Sequence, residues 1–294
     1  MKWEGQRQSE NVEDRRDEGG GGGRGGLRFG GRGLGIGTIA VVVVAGWIFG
    51  VNPLTLLGML DGGGGLAPQA QQAPAARPPA NDPMAAFVAT VLADTEDVWS
   101  ELFKAQGGTY QQPKLVLFRG VTPTACGTGQ SAMGPFYCPG DQKVYIDLAF
   151  YQTLRDKLGA PGDFAQAYVI AHEVGHHVQH LLGITEQVEA QRGRIPEARQ
   201  NALSVRLELQ ADCLAGVWAF HAQRARQVLE QGDVEEALNA AAQIGDDKLQ
   251  RQPSGTLRPE SFTHGTSAQR VSWFKRGLGG GRMAECNTFD TRQL

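Results

Sequence analysis

Residues 163–183 read Asp-Phe-Ala-Gln-Ala-Tyr-Val-Ile-Ala-His-Glu-Val-Gly-His-His-Val-Gln-His-Leu-Leu-Gly, and within them His172, Glu173 and His176 form the pattern H-E-x-x-H. Phe164, Tyr168, Ala171, Val174, Val178 and Leu181 recur at three- and four-residue steps, which is one apolar stripe of a helix. Asp163 can cap the start of that helix and Gly183 can end it. The two imidazoles then project from one face a turn apart and can reach a single ion at about 2.0–2.1 Å. Glu173 falls beside the remaining coordination position, where a carboxylate can accept a proton from an activated water. A chance match is the bland alternative, but a five-residue match inside a helix with both ends marked favours a metal site.

Two histidines leave a zinc ion short of protein ligands. His180 lies eight residues beyond His172, about 12 Å along a straight helix, too far to share its ion. His180 and His177 are therefore expected at the surface or in a cleft. Leu182 and Gln179 stand where a metzincin would carry His and Gly. The better candidate is Glu208, in Arg206-Leu-Glu-Leu-Gln-Ala-Asp-Cys-Leu-Ala-Gly216. Its helix would bury Leu203, Leu207, Ala211, Leu214 and Trp218, leaving Glu208 and Asp212 together one turn apart. Read alone, such a pair is ordinary solvated charge; beside a two-histidine site it supplies a ligand and a partner that holds a ligating imidazole through its other nitrogen.

H-E-x-x-H followed by E-x-x-x-D, here His172 to His176 and Glu208 to Asp212, resembles the gluzincin arrangement shared with thermolysin. The segments Pro135-Phe-Tyr-Cys-Pro139, Tyr145-Ile-Asp-Leu148, Glu208-Leu-Gln-Ala-Asp-Cys213 and Phe262-Thr-His-Gly-Thr-Ser267 together resemble the bacterial neutral zinc metallopeptidase family. That resemblance implies one Zn2+ per chain, a single N-terminal span and an exported peptidase domain. Thr263-His264 with Arg270 is similar to an element of the CAAX-type membrane metallopeptidases, although Gly265 replaces its proline. By that likeness His264 and Arg270 would stabilise the oxyanion. Similar enzymes also imply that the Tyr145 strand is the cleft edge on which an extended peptide pairs.

Outside these motifs the chain organises itself by composition. Residues 1–33 are polar and Gly-rich and read as a disordered cytoplasmic tail. Residues 34–60 carry no charge and include the apolar run Ile39 to Phe49, long enough for a transmembrane helix. Lys2, Arg7, Arg15, Arg16, Arg24, Arg28 and Arg32 precede this run, and the first basic residue after it is Arg77. The bias predicts a single-pass inner-membrane protein with its N-terminus in the cytoplasm and its catalytic domain periplasmic or extracellular, the lipid bilayer being a partner through that span. Residues 61–82 are rich in Gly, Pro, Ala and Gln and read as a linker, with residues 83–294 forming the zinc metallopeptidase domain.

Asp82-Pro83 marks the start of a first helix, with Lys114 to Phe118 and Lys143 to Leu148 as strands. Helices follow over Asp163 to Leu182, Asn201 to Gln227, Asp233 to Ile244 and Ser267 to Arg276. The expected fold is α+β, a mainly helical zincin-like domain with a small antiparallel sheet. A net charge of −3 provides no field for nucleic acid, which is set aside as a partner. Cys126, Cys138, Cys213 and Cys286 suit disulfides in an exported domain. Of the three possible connectivities, Cys126 with Cys138 would close a short loop and Cys213 with Cys286 would tether the tail.

The expected activity is a membrane-anchored zinc-dependent endopeptidase that hydrolyses peptide or protein substrates with metal-activated water and Glu173 as general base. A zinc-stabilised scaffold that binds envelope partners without cleaving them is the alternative from a different class, and a hydrolase of non-peptide bonds is a third.

Overall fold

A computed structural model describes residues 1–18, 76–131, 134–248, 258–290 and 294. The span expected over 34–60 lies outside the described residues, and the linker is described only from Ala76. Among the described residues no helix is long and apolar enough to cross a membrane. The chain divides into two units, Met1–Gly20 with Ala75–Leu294, and Gly21–Pro74; the first carries every motif read above.

Its sheet runs in the order β1 (Val12–Asp14), β2 (Lys114–Phe118), β6 (Lys143–Asp147), β5 (Phe136–Cys138). β1, β2 and β6 are parallel and only β5 runs antiparallel to β6. The sheet is therefore mixed, not antiparallel as expected: β2 and β6 are joined by a long connection that contains the separate hairpin of β3 (Val121–Thr124) and β4 (Gly127–Gln130). That length lets the chain cross over and re-enter in the same direction. β6, which carries Tyr145, is an interior strand, so the free edge beside the helices is β5 and the expectation for the Tyr145 strand is corrected.

The second layer is helical: α1 (Pro83–Ala105), α2 (Ala149–Asp156), α3 (Asp163–Leu181), α4 (Ile184–Glu189), α5 (Glu197–Arg226), α6 (Asp233–Gln243) and α7 (Ser267–Gly280). Asp82 caps α1 by accepting from the amides of Met84 and Ala85, with Pro83 opening the first turn. A Thr266–Gln269 capping box starts α7. For α3 the cap is Gly162 and Asp163 is already inside the first turn, where its charge favours the helix dipole. The other end is as expected, with Gly183 left-handed at φ 72°.

α3 is central, packed on α5, α6 and α1 and reaching β5 and β6. Phe164 stacks on Trp218 at 5.8 Å, and the indole N–H of Trp218 donates to buried Asp94 at 2.7 Å. α7 lies along α5 so closely that a Cβ on Gly277 would sit 1.9 Å from the Cys213 carbonyl. Disulfides join Cys126 to Cys138, tying β5 to the hairpin tip, and Cys213 to Cys286, tying the C-terminal turn to α5.

Residues 1–18 are not a disordered tail. β1 pairs with β2 in the register Val12↔Leu115, Glu13↔Val116, Asp14↔Leu117. Composition averaged over residues 1–33 hid this, because the Gly-rich run begins only at Gly19, and the first eighteen residues bury Met1 and Val12 and pair their charges. Glu13 meets Lys143, Lys114 and Arg15. Burial works to raise its carboxyl, but these three cations outweigh it and hold it at about 2. A depressed folded-state value stabilises above the unfolded value near 4.5 and is lost as pH falls toward 2. Glu13→Gln should therefore cost about 1–2 kcal/mol at neutral pH and flatten the stability loss between those limits. Urea midpoints measured from pH 7 to pH 2 check this, and an unchanged acid slope would count against it.

Candidate metal centre

α3 supplies His172, Glu173 and His176, and α5 supplies Glu208 and Asp212. The two helices come close enough to share an ion because position 175 has no side chain: a Cβ there would lie 3.0 Å from the Ala211 carbonyl. His172 Nε2 stands 3.2 Å from Glu208 Oε2, and His176 Nε2 stands 3.5 Å from Glu208 Oε1. One ligand atom from each of the three residues lies within 4.8 Å of the others. Gly175→Ala should push α5 away by a few tenths of an ångström, weakening metal affinity about 10-fold and costing about 1–3 kcal/mol of stability. Chelator-competition titration reads the first effect and thermal unfolding the second; an affinity equal to the parent's would refute the close-approach argument.

The outward nitrogens of both rings are held by acceptors. His172 Nδ1 is 2.9 Å from Asp212 Oδ1, and His176 Nδ1 is 2.9 Å from Gln179 Oε1. The Gln179 amide is itself oriented, since its nitrogen donates to the Leu207 carbonyl at 2.8 Å and to Gln210 at 3.0 Å. With its proton on Nδ1, each ring turns an Nε2 lone pair toward a carboxylate. Two imidazole Nε2 atoms and a carboxylate converging on one point, with both outward nitrogens held, are a donor set that fits zinc. Burial would lower the His172 imidazole, yet Asp212 and Glu208 outweigh it and push it up to about 10. Burial works to raise the Glu208 carboxyl, but the two histidines and Arg270 hold it well below the usual range.

Glu173 is buried, and desolvation raises its carboxyl despite the nearby histidines. It lines a cleft of about 760 Å³ with Phe136 and Tyr137 of β5, Phe150 of α2, Ile244 and His264. A larger cavity, about 1080 Å³, lies between α4, α5 and the C-terminal turn; it contains no member of the cluster, and chemistry selects the smaller one.

A family model described as "Putative neutral zinc metallopeptidase" matches residues 1–289. The chain belongs to that family. It is similar to the uncharacterized protein YpfJ of Escherichia coli strain K12, 55% identical over 292 residues, which covers 98% of this chain and 99% of YpfJ. It is also similar to the uncharacterized protein Rv2575 of Mycobacterium tuberculosis strain H37Rv, 43% identical over 209 residues, 67% of this chain and 68% of that one. No solved structure matches.

In this family member His264 and Arg270 both line the cleft, Arg270 as a buried side chain. Arg270 is buried and bonds Asp212 through two nitrogens, Nε to Oδ2 at 2.8 Å and Nη2 to Oδ1 at 2.9 Å, with Nη1 on the Ile244 carbonyl. Engaged in this way, the guanidinium holds the carboxylate that holds His172. Tyr168, read from sequence as one more apolar stripe residue, also donates to Asp212.

Sequence reasoning also missed Asp246. One of its oxygens accepts the amides of His264 and Gly265 at 2.6 and 2.9 Å, and the other lies 3.2 Å from His264 Nδ1. That bond raises the His264 imidazole against burial. No local signal links two residues eighteen positions apart across a loop. Gln179, three residues beyond His176 on one helix, was findable from spacing.

His177 is fully buried, correcting the surface or cleft placement: its Nδ1 accepts from the Tyr137 hydroxyl at 2.9 Å and its Nε2 donates to the Gln111 carbonyl at 2.6 Å. Burial holds it neutral, down at about 4. His180 stands apart from the cluster, against Gln142 and Glu186.

Proposed function

We propose that the chain is a zinc-dependent endopeptidase, with His172, His176 and Glu208 as ligands and Glu173 as general base. The observation that carries this reading is the convergence of two imidazole lone pairs and a carboxylate on one point, beside a buried glutamate, in a cleft bordered by an unpaired strand edge. A bound zinc ion supplies Lewis acidity, lowering the pKa of a water and polarising the scissile carbonyl.

The protein's own groups supply the rest. Glu173, its carboxyl raised by burial, takes the proton of the attacking water and delivers it to the leaving amine. His264, its imidazole raised by its bond to Asp246, donates to the oxygen that gains charge as the carbonyl is attacked. Asp212 and Gln179 fix both rings, and Arg270 and Tyr168 fix Asp212. β5 offers the unpaired backbone of Phe136–Cys138 to an extended peptide, which would add as a further strand. The disulfide of Cys138 holds that edge in place. A scaffold would have no use for a buried base at the metal, which weighs against a non-catalytic role.

A peptide-library digest by the purified full chain tests the reading. Internal cleavage products should appear, vanish after chelation and return with added zinc; no products under any of these conditions would favour the scaffold.

A further inference from the structure

We infer that residues 1–18 are a built-in part of the catalytic unit and lie on the same side of any bilayer as the metal cleft, so that a membrane passage between Asp14 and Ala76 occurs an even number of times or not at all. The chain leaves and rejoins this unit at one place. The Asp14 amide donates to the Ala76 carbonyl at 2.7 Å, and Arg16 bridges Asp14 to Asp82, the cap of α1. Strands of one sheet lie about 4.8 Å apart, whereas a hydrocarbon core is about 30 Å thick. Two flanks bonded directly to each other cannot stand on opposite faces of it.

The docking surface is built for this segment. Glu96 on α1 is 1% exposed, and its partners are Arg7, Ser9 and Asn11, all from the N-terminal segment. Removing them would leave a buried carboxylate uncompensated, a strongly destabilising change. Glu13 reciprocally meets Lys114 and Lys143 of the sheet. Trp3 packs edge-on against Phe87 at 5.4 Å, and the Lys2 amide donates to the Val228 carbonyl at 2.8 Å. β1 also occupies the outer side of β2, making the N-terminal segment a strand of the sheet.

The same contacts engage three of the seven cations counted in the charge-bias expectation. Arg7, Arg15 and Arg16 are each paired with a carboxylate of the folded unit, Glu96 and Asp97, Glu13, and Asp14 with Asp82. They are structural cations, and on this inference they do not mark a cytoplasmic N-terminus.

The test uses the full chain in bacterial cells whose outer membrane has been made permeable. Among the described residues no cysteine is free, so a single Cys at exposed Glu10 (Glu10→Cys) or exposed Gln152 (Gln152→Cys) is the thiol to be labelled by a membrane-impermeant maleimide. Both sites should behave alike, labelled in intact cells or protected until detergent is added. Labelling of one and protection of the other would overturn the inference. As an independent check of docking, Val12→Asp in the purified full chain should lower the melting temperature by at least about 5 °C. A melting temperature equal to the parent's would overturn it too.

Discussion

Glu173→Gln should lower turnover by about 10²- to 10⁴-fold while the metal content of the chain stays that of the parent. The substitution keeps the shape of the side chain and removes only its ability to take a proton. Because Glu173 is not among the three converging ligands, metal binding has no reason to change. Burial has raised this carboxyl, so replacing it with a neutral amide relieves desolvation, and the variant should be at least as stable as its parent. Peptide hydrolysis followed by mass spectrometry, with metal analysis on the same samples, reads both halves. Undiminished turnover would remove Glu173 from the mechanism. Loss of turnover together with loss of metal would mean that the residue is structural.

Arg270→Met should act in the opposite way, lowering metal affinity about 10- to 100-fold and stability by about 3–5 kcal/mol. Asp212 is fully buried and is kept ionised, against desolvation, by Arg270 first and His172 next. Without the guanidinium, that carboxylate either stays charged and uncompensated or takes a proton and ceases to hold His172. An oxyanion role for Arg270 predicts something else: weakened turnover with metal affinity and stability intact. Competition against a calibrated chelator and urea unfolding of the same variant decide between the two. Arg270→Lys retains the charge but loses the two-point grip on Asp212, and should recover only part of the affinity.

The two roles of Arg270 show how far a motif can be read. Thr263, His264 and Arg270 suggested two groups facing a substrate; both line the cleft, but the fold also buries Arg270, because α7 lies against α5 through Gly277 and places Arg270 over Asp212. His177 gives the same lesson from the other side. A polar residue next to a ligand reads as a cleft residue, yet here it anchors Tyr137 of the edge strand from a buried position. The Gly-rich stretch beginning at Gly19 made residues 1–33 look uniform, and only pairing with β2 distinguishes the first eighteen.

By itself the sequence determined helix α3, its two imidazoles one turn apart and the glutamate between them. It also determined the Glu208–Asp212 pair, the main helices and strands β2 and β6. All of these rest on spacings of a few residues, which the helical and strand periods convert directly into shared faces. Only the tertiary structure decided which groups hold those residues in place: Gln179 through Leu207 and Gln210, Asp212 through Arg270 and Tyr168, and Asp246 beneath His264. It likewise decided that β5 forms the edge beside the helices and that β1 forms the other edge. Such contacts join positions tens of residues apart, where no period links them, and they come into being only when helices and sheet pack and each buried charge must find its partner.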